Sequence, residues 1–345
     1  QWIDGPISKL CQLNVDIVIS INASPFQAEK HKDRLNICKK YAAEFEVSYI
    51  YVNMVGGQDE VVFDGNSFVT DSEGTLIQQL PEFKEYFCLH TESLKNFQPV
   101  MLEESIYSAL VLATRDYIQK NSFDGALIGL SGGIDSAVTS TLCAITGIRT
   151  HAVSMPIKQN PNQHDLSLIH INWLKKKYDN ICTYIIDLDE VFKIFQKTMN
   201  EFDSELAFAN SRARLRMVTL YQIAQNYKAL VVGTGNKVED FGIGFFTKYG
   251  DGGVDISPIA DCSKSQVWEM GKELGLNNEI IKAKPTDGLW DDSRNDEDQI
   301  GLSYQQIEDA MENEKSPFYE KFKKIRTPNL HKMKPIPICI LPKNS

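Results

Sequence analysis

The stretch "GALIGLSGGIDSAVTSTLCAIT", residues 125–146, decides the fold. "GALIGL" reads as a buried strand, and the run from Asp135 reads as a helix. Between them lie Ser131, Gly132, Gly133, Ile134, Asp135 and Ser136. Two glycines let the backbone approach a ligand closely. The free N–H groups and dipole of the helix start favour an anion. Ser131 and Ser136 add hydroxyl donors. Asp135 would repel a bare phosphate, but it suits a Mg²⁺ that the phosphates also hold. No Lys follows the second glycine, so this is not a Walker A loop. The competing reading is an ordinary Gly-Gly turn capped by Ser and Asp.

Outward from this junction, strands and helices alternate. "YSALVLATRDYIQK" and "DLSLIHINWLKKKY" read as helices, as does "SRARLRMVTLYQIAQNY". "THAVSM", "CTYIID" and "ALVVGTG" read as strands. Such alternation predicts a parallel, doubly wound sheet with helices on both faces. Ligands of such sheets lie beyond the carboxyl ends of the strands, where "SGGIDS" and "GTGNKVED" fall. The second cluster, residues 231–259, mixes Lys237, Glu239, Asp240, Lys248, Asp251 and Asp255 with glycines. Charge on a glycine-rich backbone suits a loop fitted over a charged ligand. The competing reading is a solvated surface loop.

Residues 1–90 read differently. "DIVISINAS" (16–24) is expected to be a buried strand, and a helix follows from Ala28 to Glu46. "SYIYVNMVGG", "VVFDGNSFVT" and "GTLIQQL" read as three strand-like runs, and residues 91–100 as a linker to a second domain at 101–345. Two domains suit 345 residues, and a net charge of −10 argues against a broad basic face for nucleic acid. Seven cysteines without a CxxC pair point to a reduced, cytoplasmic protein. No apolar run approaches a membrane span of about 20 residues.

Taken together, the motifs carry a resemblance. "SGGIDS" resembles the pyrophosphate-binding signature of the N-type ATP pyrophosphatases. "GTGNKVEDFGIGFFTKYGDGG", "SPIADCSKSQVW" and "KPTDGLWDD" closely resemble NAD synthetases, over roughly residues 101–345. The resemblance implies a Rossmann-like sheet of the adenine nucleotide alpha-hydrolase type. It implies ATP-dependent adenylation of nicotinic acid adenine dinucleotide, then attack by ammonia, giving NAD, AMP and pyrophosphate. By the same resemblance Asp135 and Glu239 hold Mg²⁺. Thr234 lies close to ATP, and Lys264 and Thr286 contact the phosphates or the adenylated group. Asp251 and Asp255 form an acidic pair on the ammonia side. Asn210 and Arg214, with Lys248, meet the dinucleotide, often across a dimer interface. His331 and Lys332 close over the triphosphate. The loop 157–163 departs from the Ser-rich loop of many relatives, and no adenine contact is assigned there.

"INASPF" and "VNMVGGQDEVVFDGNSFV" resemble the later part of a nitrilase-type α-β-β-α glutaminase domain, with Ser24, Phe26 and Arg34 near its glutamine pocket. Such domains use a Glu–Lys–Cys triad. The matching positions would precede residue 1, and Cys11, in the apolar-periodic "ISKLCQL", is no substitute. A half-sandwich would expose an apolar sheet face, so a missing part is expected. The family is typically a homodimer or larger. The rival readings are another amide ligase of the same superfamily, such as a GMP synthetase, or a thiolation enzyme. A nitrilase-like hydrolase with a regulatory nucleotide module is a further rival, as is a non-catalytic nucleotide-binding protein.

Overall fold

The computed structural model describes residues 5–89, 102–158, 161–286, 288 and 295–340. The expected linker at 91–100 lies outside these, as do parts of the 157–163 loop and of "KPTDGLWDD". The chain divides into two compact units, Gln1–Ser122 and Phe123–Ser345.

The first unit runs α1 (Pro6–Cys11), β1 (Ile17–Asn22), α2 (Lys30–Phe45), β2 (Ser48–Asn53), β3 (Val55–Gln58), β4 (Val61–Asp64), β5 (Phe68–Thr70), β6 (Leu76–Gln79) and α3 (Leu102–Lys120). Five strands replace the three expected runs after β1: the first run breaks at Met54, and positive-φ Gly65 and Asn66 reverse the chain inside the second. The main sheet has the order β1-β2-β5-β6, with β1 parallel to β2 and the other pairs antiparallel; β3 and β4 form a separate hairpin. Val18, Tyr49, Tyr51 and Phe68 pack beneath Cys38 and Ala42 of α2. The opposite face of β1 is not buried as the sequence led one to expect. Alternation aims Ile17, Ile19 and Ile21 away from α2, and they are 52%, 62% and 85% exposed. α3 belongs by proximity to this unit, although the sequence pattern puts it at the head of the second. Its Asp116 accepts the Gly57 N–H (2.8 Å), and its Lys120 Nζ donates to the Gly57 carbonyl (2.5 Å).

The second unit runs β7 (Gly125–Leu130), α4 (Ile134–Ile145), β8 (Arg149–Ser154), α5 (Pro161–Lys177), β9 (Ile181–Ile185), α6 (Asp189–Thr198), α7 (Glu205–Tyr227) and β10 (Ala229–Val232). A π-helix (Lys237–Ile243) follows, then α8 (Lys264–Glu273), α9 (Asn278–Lys282), α10 (Asp296–Ile300), α11 (Tyr304–Glu312) and α12 (Tyr319–Met333). The sheet is wholly parallel with the order β10-β7-β8-β9. Leu127, Val153 and Val231 bury one face against Phe192 of α6 and Ala224 of α7, while α4 and α5 pack on β7, β8 and β9. This is the doubly wound sheet expected from the sequence. From β7 the order proceeds to β8 and β9, then returns past β7 to β10. The switch point therefore lies between β7 and β10, whose carboxyl ends carry residues 131–136 and 233–236. That is where an open α/β sheet binds its ligand.

The core of this unit holds a pH-dependent element. His170 is 2% exposed, stacked on Trp173, with Nε2 2.8 Å from the Ser140 hydroxyl. Burial pushes its pKa down to about 4. An unfolded His titrates near 6.5, so this contribution to stability is present above that pH and is lost as pH falls through the folded value. Between pH 7.5 and 5 the linkage amounts to about 2 kcal/mol. Denaturant unfolding of His170→Gln should lose that portion of the acid dependence; an unchanged pH profile would contradict this account.

Candidate active site

The loop at residues 131–136 is stitched by its own hydroxyls. The Ser136 hydroxyl donates to the Gly133 carbonyl (3.0 Å) and accepts the Ser131 N–H (3.3 Å), while the Ser131 hydroxyl accepts the Gly133 N–H (3.2 Å). Gly132 has φ +90°, a conformation that side chains rarely adopt. No side chain caps α4 at Gly133, so its first amides stay available to an anion.

The next strand end supplies the partner acid. Asn236 caps the π-helix, its Oδ1 accepting the N–H groups of Val238 and Glu239, while its Nδ2 donates to Asp135 (3.1 Å). Glu239 and Asp135 thus converge, and Lys264 Nζ sits between them, 2.5 Å from Asp135 Oδ2 and 2.9 Å from Glu239 Oε1. Lys264 is 1% exposed at the head of α8, which a Ser263–Gln266 capping box fixes. Burial alone would lower the Lys264 pKa; the two carboxylates outweigh it and hold the ammonium charged. One cation cannot satisfy both acids equally. Burial raises the Asp135 carboxyl despite Lys264. Glu239 also suffers burial, but Lys264 and the Tyr304 hydroxyl hold it below its ordinary value.

A cavity opens above this pair. Its floor includes Ser131, Gly133, Asp135, Ser136, Glu239 and Lys264, with Thr234, Asp251 and Thr286 on its polar walls. Met155, Met217, Leu220 and Val254 form an apolar wall. Asp240 also lines it, in the slot left by Gly235, where a side chain would run into its carboxyl. Burial, then Glu239, Asp251 and Asp135, hold the Asp240 carboxyl well above the ordinary carboxylate range.

Most of the expected phosphate residues therefore meet in one place. Others do not. Asp255 is set apart: its carboxylate accepts the Tyr221 hydroxyl (2.9 Å) and the Val231 N–H (2.8 Å), tying the loop to β10. Lys332 Nζ donates to the carbonyls of Gly244 and Phe246, both at 2.9 Å, and His331 Nδ1 lies 3.0 Å from the Pro328 carbonyl. Both sit on α12 and are not among the residues lining the cavity: Lys332 braces the segment after the π-helix, while the His331 ring turns back on its own helix. Asn210, Arg214 and Lys248 form their own group, with Thr247 donating to Asn210 (2.6 Å) and Arg214 to the Lys248 carbonyl (3.3 Å). In the first unit, Arg34 bonds Asp64, Ser24 and the Pro25 carbonyl. Its guanidinium thus clamps these residues together. Phe26 packs edge-on to Phe83.

The sequence reading missed Asn236, Tyr304 and the apolar wall. Asn236 was legible as an Asn just before an acidic turn, the usual helix-cap type. The wall gathers Met155 just past β8, Met217 and Leu220 of α7, and Val254 of the later loop, apolar residues that look like ordinary core in the sequence.

A doubly wound parallel sheet with this loop at its switch point defines a Rossmann-like α/β unit. The NAD synthase family model matches residues 106–336, and the chain belongs to that family. It is 30% identical over 331 residues to a glutamine-dependent NAD(+) synthetase of Acinetobacter baylyi, covering 90% of this chain and 60% of that one. The chain thus spans only part of that relative's length. The glutamine-dependent NAD+ synthetase of Acinetobacter baumannii, solved with ADP, superposes with a TM-score of 0.73 at 27% identity, over 97% of this chain and 67% of that one. An NMN synthetase of Francisella tularensis gives 0.63 at 34% identity, over 71% of this chain and all of that one.

Proposed function

We propose that the chain catalyses ATP-dependent amidation of the pyridine carboxylate of nicotinic acid adenine dinucleotide, giving NAD, AMP and pyrophosphate. One observation carries the reading: Asp135 and Glu239, from two neighbouring strand ends, converge on one buried cation beside the uncapped start of α4. A carboxylate is a poor electrophile, and adenylation supplies a leaving group. Pyrophosphate is received by the amides and hydroxyls of residues 131–136. The apolar wall of Met155, Met217, Leu220 and Val254 suits an adenine face. Asp251, which lines the cavity, takes the proton that ammonium gives up before nitrogen attacks the acyl carbon.

The donor set fits Mg²⁺. Two carboxylates already point at a single cation, here the Lys264 ammonium. Among the described residues no cluster of three or more His, Cys, Asp or Glu offers a closed metal cage, and Mg²⁺ is commonly held by one or two carboxylates plus phosphates. When bound through Asp135 and Glu239 it would offset phosphate charge. Ammonia, free or released from glutamine, is the nitrogen donor in this reading. The enzyme works as a homo-oligomer in a reducing cytoplasm; the cysteines described are all unpaired, and no helix among the described residues is long and apolar enough to cross a membrane.

The similarity to an NMN synthetase over that protein's whole length favours a second reading. The same chemistry on nicotinic acid mononucleotide would give NMN. A turnover assay separates the two. Each acceptor is mixed with ATP, Mg²⁺ and either ammonium chloride or glutamine, and pyrophosphate and amide product are followed. NAD formed from ammonium supports the first reading, and product from the mononucleotide alone supports the second. ATP bound without pyrophosphate release would defeat both.

A further inference from the structure

Tyr304 lies outside every motif that marks the phosphate site. It is the first residue of α11, set there by the Ser303–Gln306 capping box. It is wholly buried. Its hydroxyl donates to Glu239 Oε1 at 2.6 Å, the same oxygen that receives Lys264, and lies 3.2 Å from Asp296 Oδ2. Its ring centroid is 4.9 Å from Lys264 Nζ, and Trp268 packs edge-on against it at 5.8 Å. One side chain thus holds the acid by its hydroxyl and the ammonium by its ring face.

We propose that Tyr304 is a positioning residue for divalent-cation binding. By holding Glu239 Oε1 it fixes how that carboxylate is presented to the cation, and it never touches cation or nucleotide itself. The packing explains why a tyrosine stands here. A Phe would keep the ring over Lys264 but leave a buried carboxylate oxygen without one of its two donors. A carboxylate that must turn to meet a cation is better held by a partner already in place, and loss of such a supporting hydrogen bond typically weakens metal affinity about 10–100-fold. The inference rests on the reading that Glu239 is a cation ligand, and its test separates the two.

The test is a Mn²⁺ titration, read by the electron paramagnetic resonance of free Mn²⁺, on the full chain with a non-hydrolysable ATP analogue and no turnover. It compares wild type, Tyr304→Phe, Glu239→Gln and the double variant. The expected result is weakening by about tenfold or more in Tyr304→Phe. Glu239→Gln should be weaker still, and the double variant no weaker than Glu239→Gln alone. In turnover, Tyr304→Phe should raise the half-saturating Mg²⁺ while leaving the KM for the pyridine nucleotide unchanged. Wild-type Mn²⁺ affinity in Tyr304→Phe, or additive losses in the double variant, would overturn the role of Tyr304. Wild-type affinity in Glu239→Gln would instead overturn the cation reading beneath it. Should Tyr304→Phe fail to fold, a single 3-fluorotyrosine at 304 keeps the hydroxyl. Its ¹⁹F resonance should shift on adding Mg²⁺ in the wild-type background and stay still in Glu239→Gln; no shift in either would equally overturn the proposal.

Discussion

Replacing Lys264 with Met should reduce pyrophosphate release at least a hundredfold and destabilise the second unit by about 3–5 kcal/mol, the usual consequence of stripping one partner from a buried ion pair. The size follows from what is left behind. Asp135 and Glu239 both lie within 3 Å of the ammonium, which is 1% exposed. Without it two carboxylates face each other in a site that water reaches poorly, and one must take up a proton. A protonated Asp135 or Glu239 is a weaker cation ligand, so folding and catalysis fall together. Lys264→Arg should not rescue, because the planar guanidinium is too large for a slot shaped by Trp268 and Tyr304. The sign with pH is also fixed. The folded ammonium is held above its unfolded pKa of about 10.4, so its contribution is complete below that value and is lost as pH rises through the folded one. Steady-state pyrophosphate release and denaturant unfolding at pH 7.5 would check this. A stable, near-active Lys264→Met would mean that the two acids do not share a cation.

How much of this was legible in the sequence depends on distance along the chain. The parallel sheet was legible because each strand–helix pair carries its own periodicity, and the register of β7 with β8 and β10 follows once they are buried side by side. The loop at residues 131–136 was legible because its chemistry is local. The partnership of Asp135 with Glu239 came from resemblance, since 104 positions separate them. Lys264 was expected to contact the phosphates or the adenylated group, and its contacts with the two acids were not legible. Tyr304 was invisible because a capping box reveals where a helix starts, not what its first side chain meets. The glycine-rich cluster at 231–259 was read as a loop, yet Asn236 caps a π-helix there. His331 and Lys332 misled for a related reason. A basic pair near a chain end looks free to reach a phosphate, but Lys332 meets carbonyls left open after the π-helix and the His331 ring meets the Pro328 carbonyl of its own helix. Local pattern thus located the scaffold and the loop, while long-range pairing decided which charges remain available.

Arg34→Met should unfold the first unit more readily by about 3–5 kcal/mol, because its guanidinium ties several segments of that unit together. The Arg34 and Asp64 side chains are 7% and 3% exposed. NH1 bonds both Asp64 oxygens, at 2.8 and 2.7 Å, Nε bonds the Ser24 hydroxyl, and NH2 bonds the carbonyls of Ser24 and Pro25. Asn53 closes the network by donating to Asp64 and accepting the Ser24 N–H. Deleting the guanidinium leaves a carboxylate buried against Asn53 alone and frees two carbonyls that fix the turn between β1 and α2. Met restores the stem's packing and nothing else. Lys should recover little, since a single ammonium cannot reach the carboxylate and both carbonyls from one stem with the fork's geometry. For a unit of this size the loss corresponds to a fall in its melting midpoint of about 15 °C or more. Hydrogen exchange on the α2 and β2 amides would report it directly, since those elements carry the network. If Arg34→Met left that protection intact while weakening glutamine binding, the guanidinium would be a ligand contact after all. If protection collapses and ammonium-dependent turnover in the second unit persists, Arg34 is a clamp, and a glutamine site in this unit must be sought among other residues.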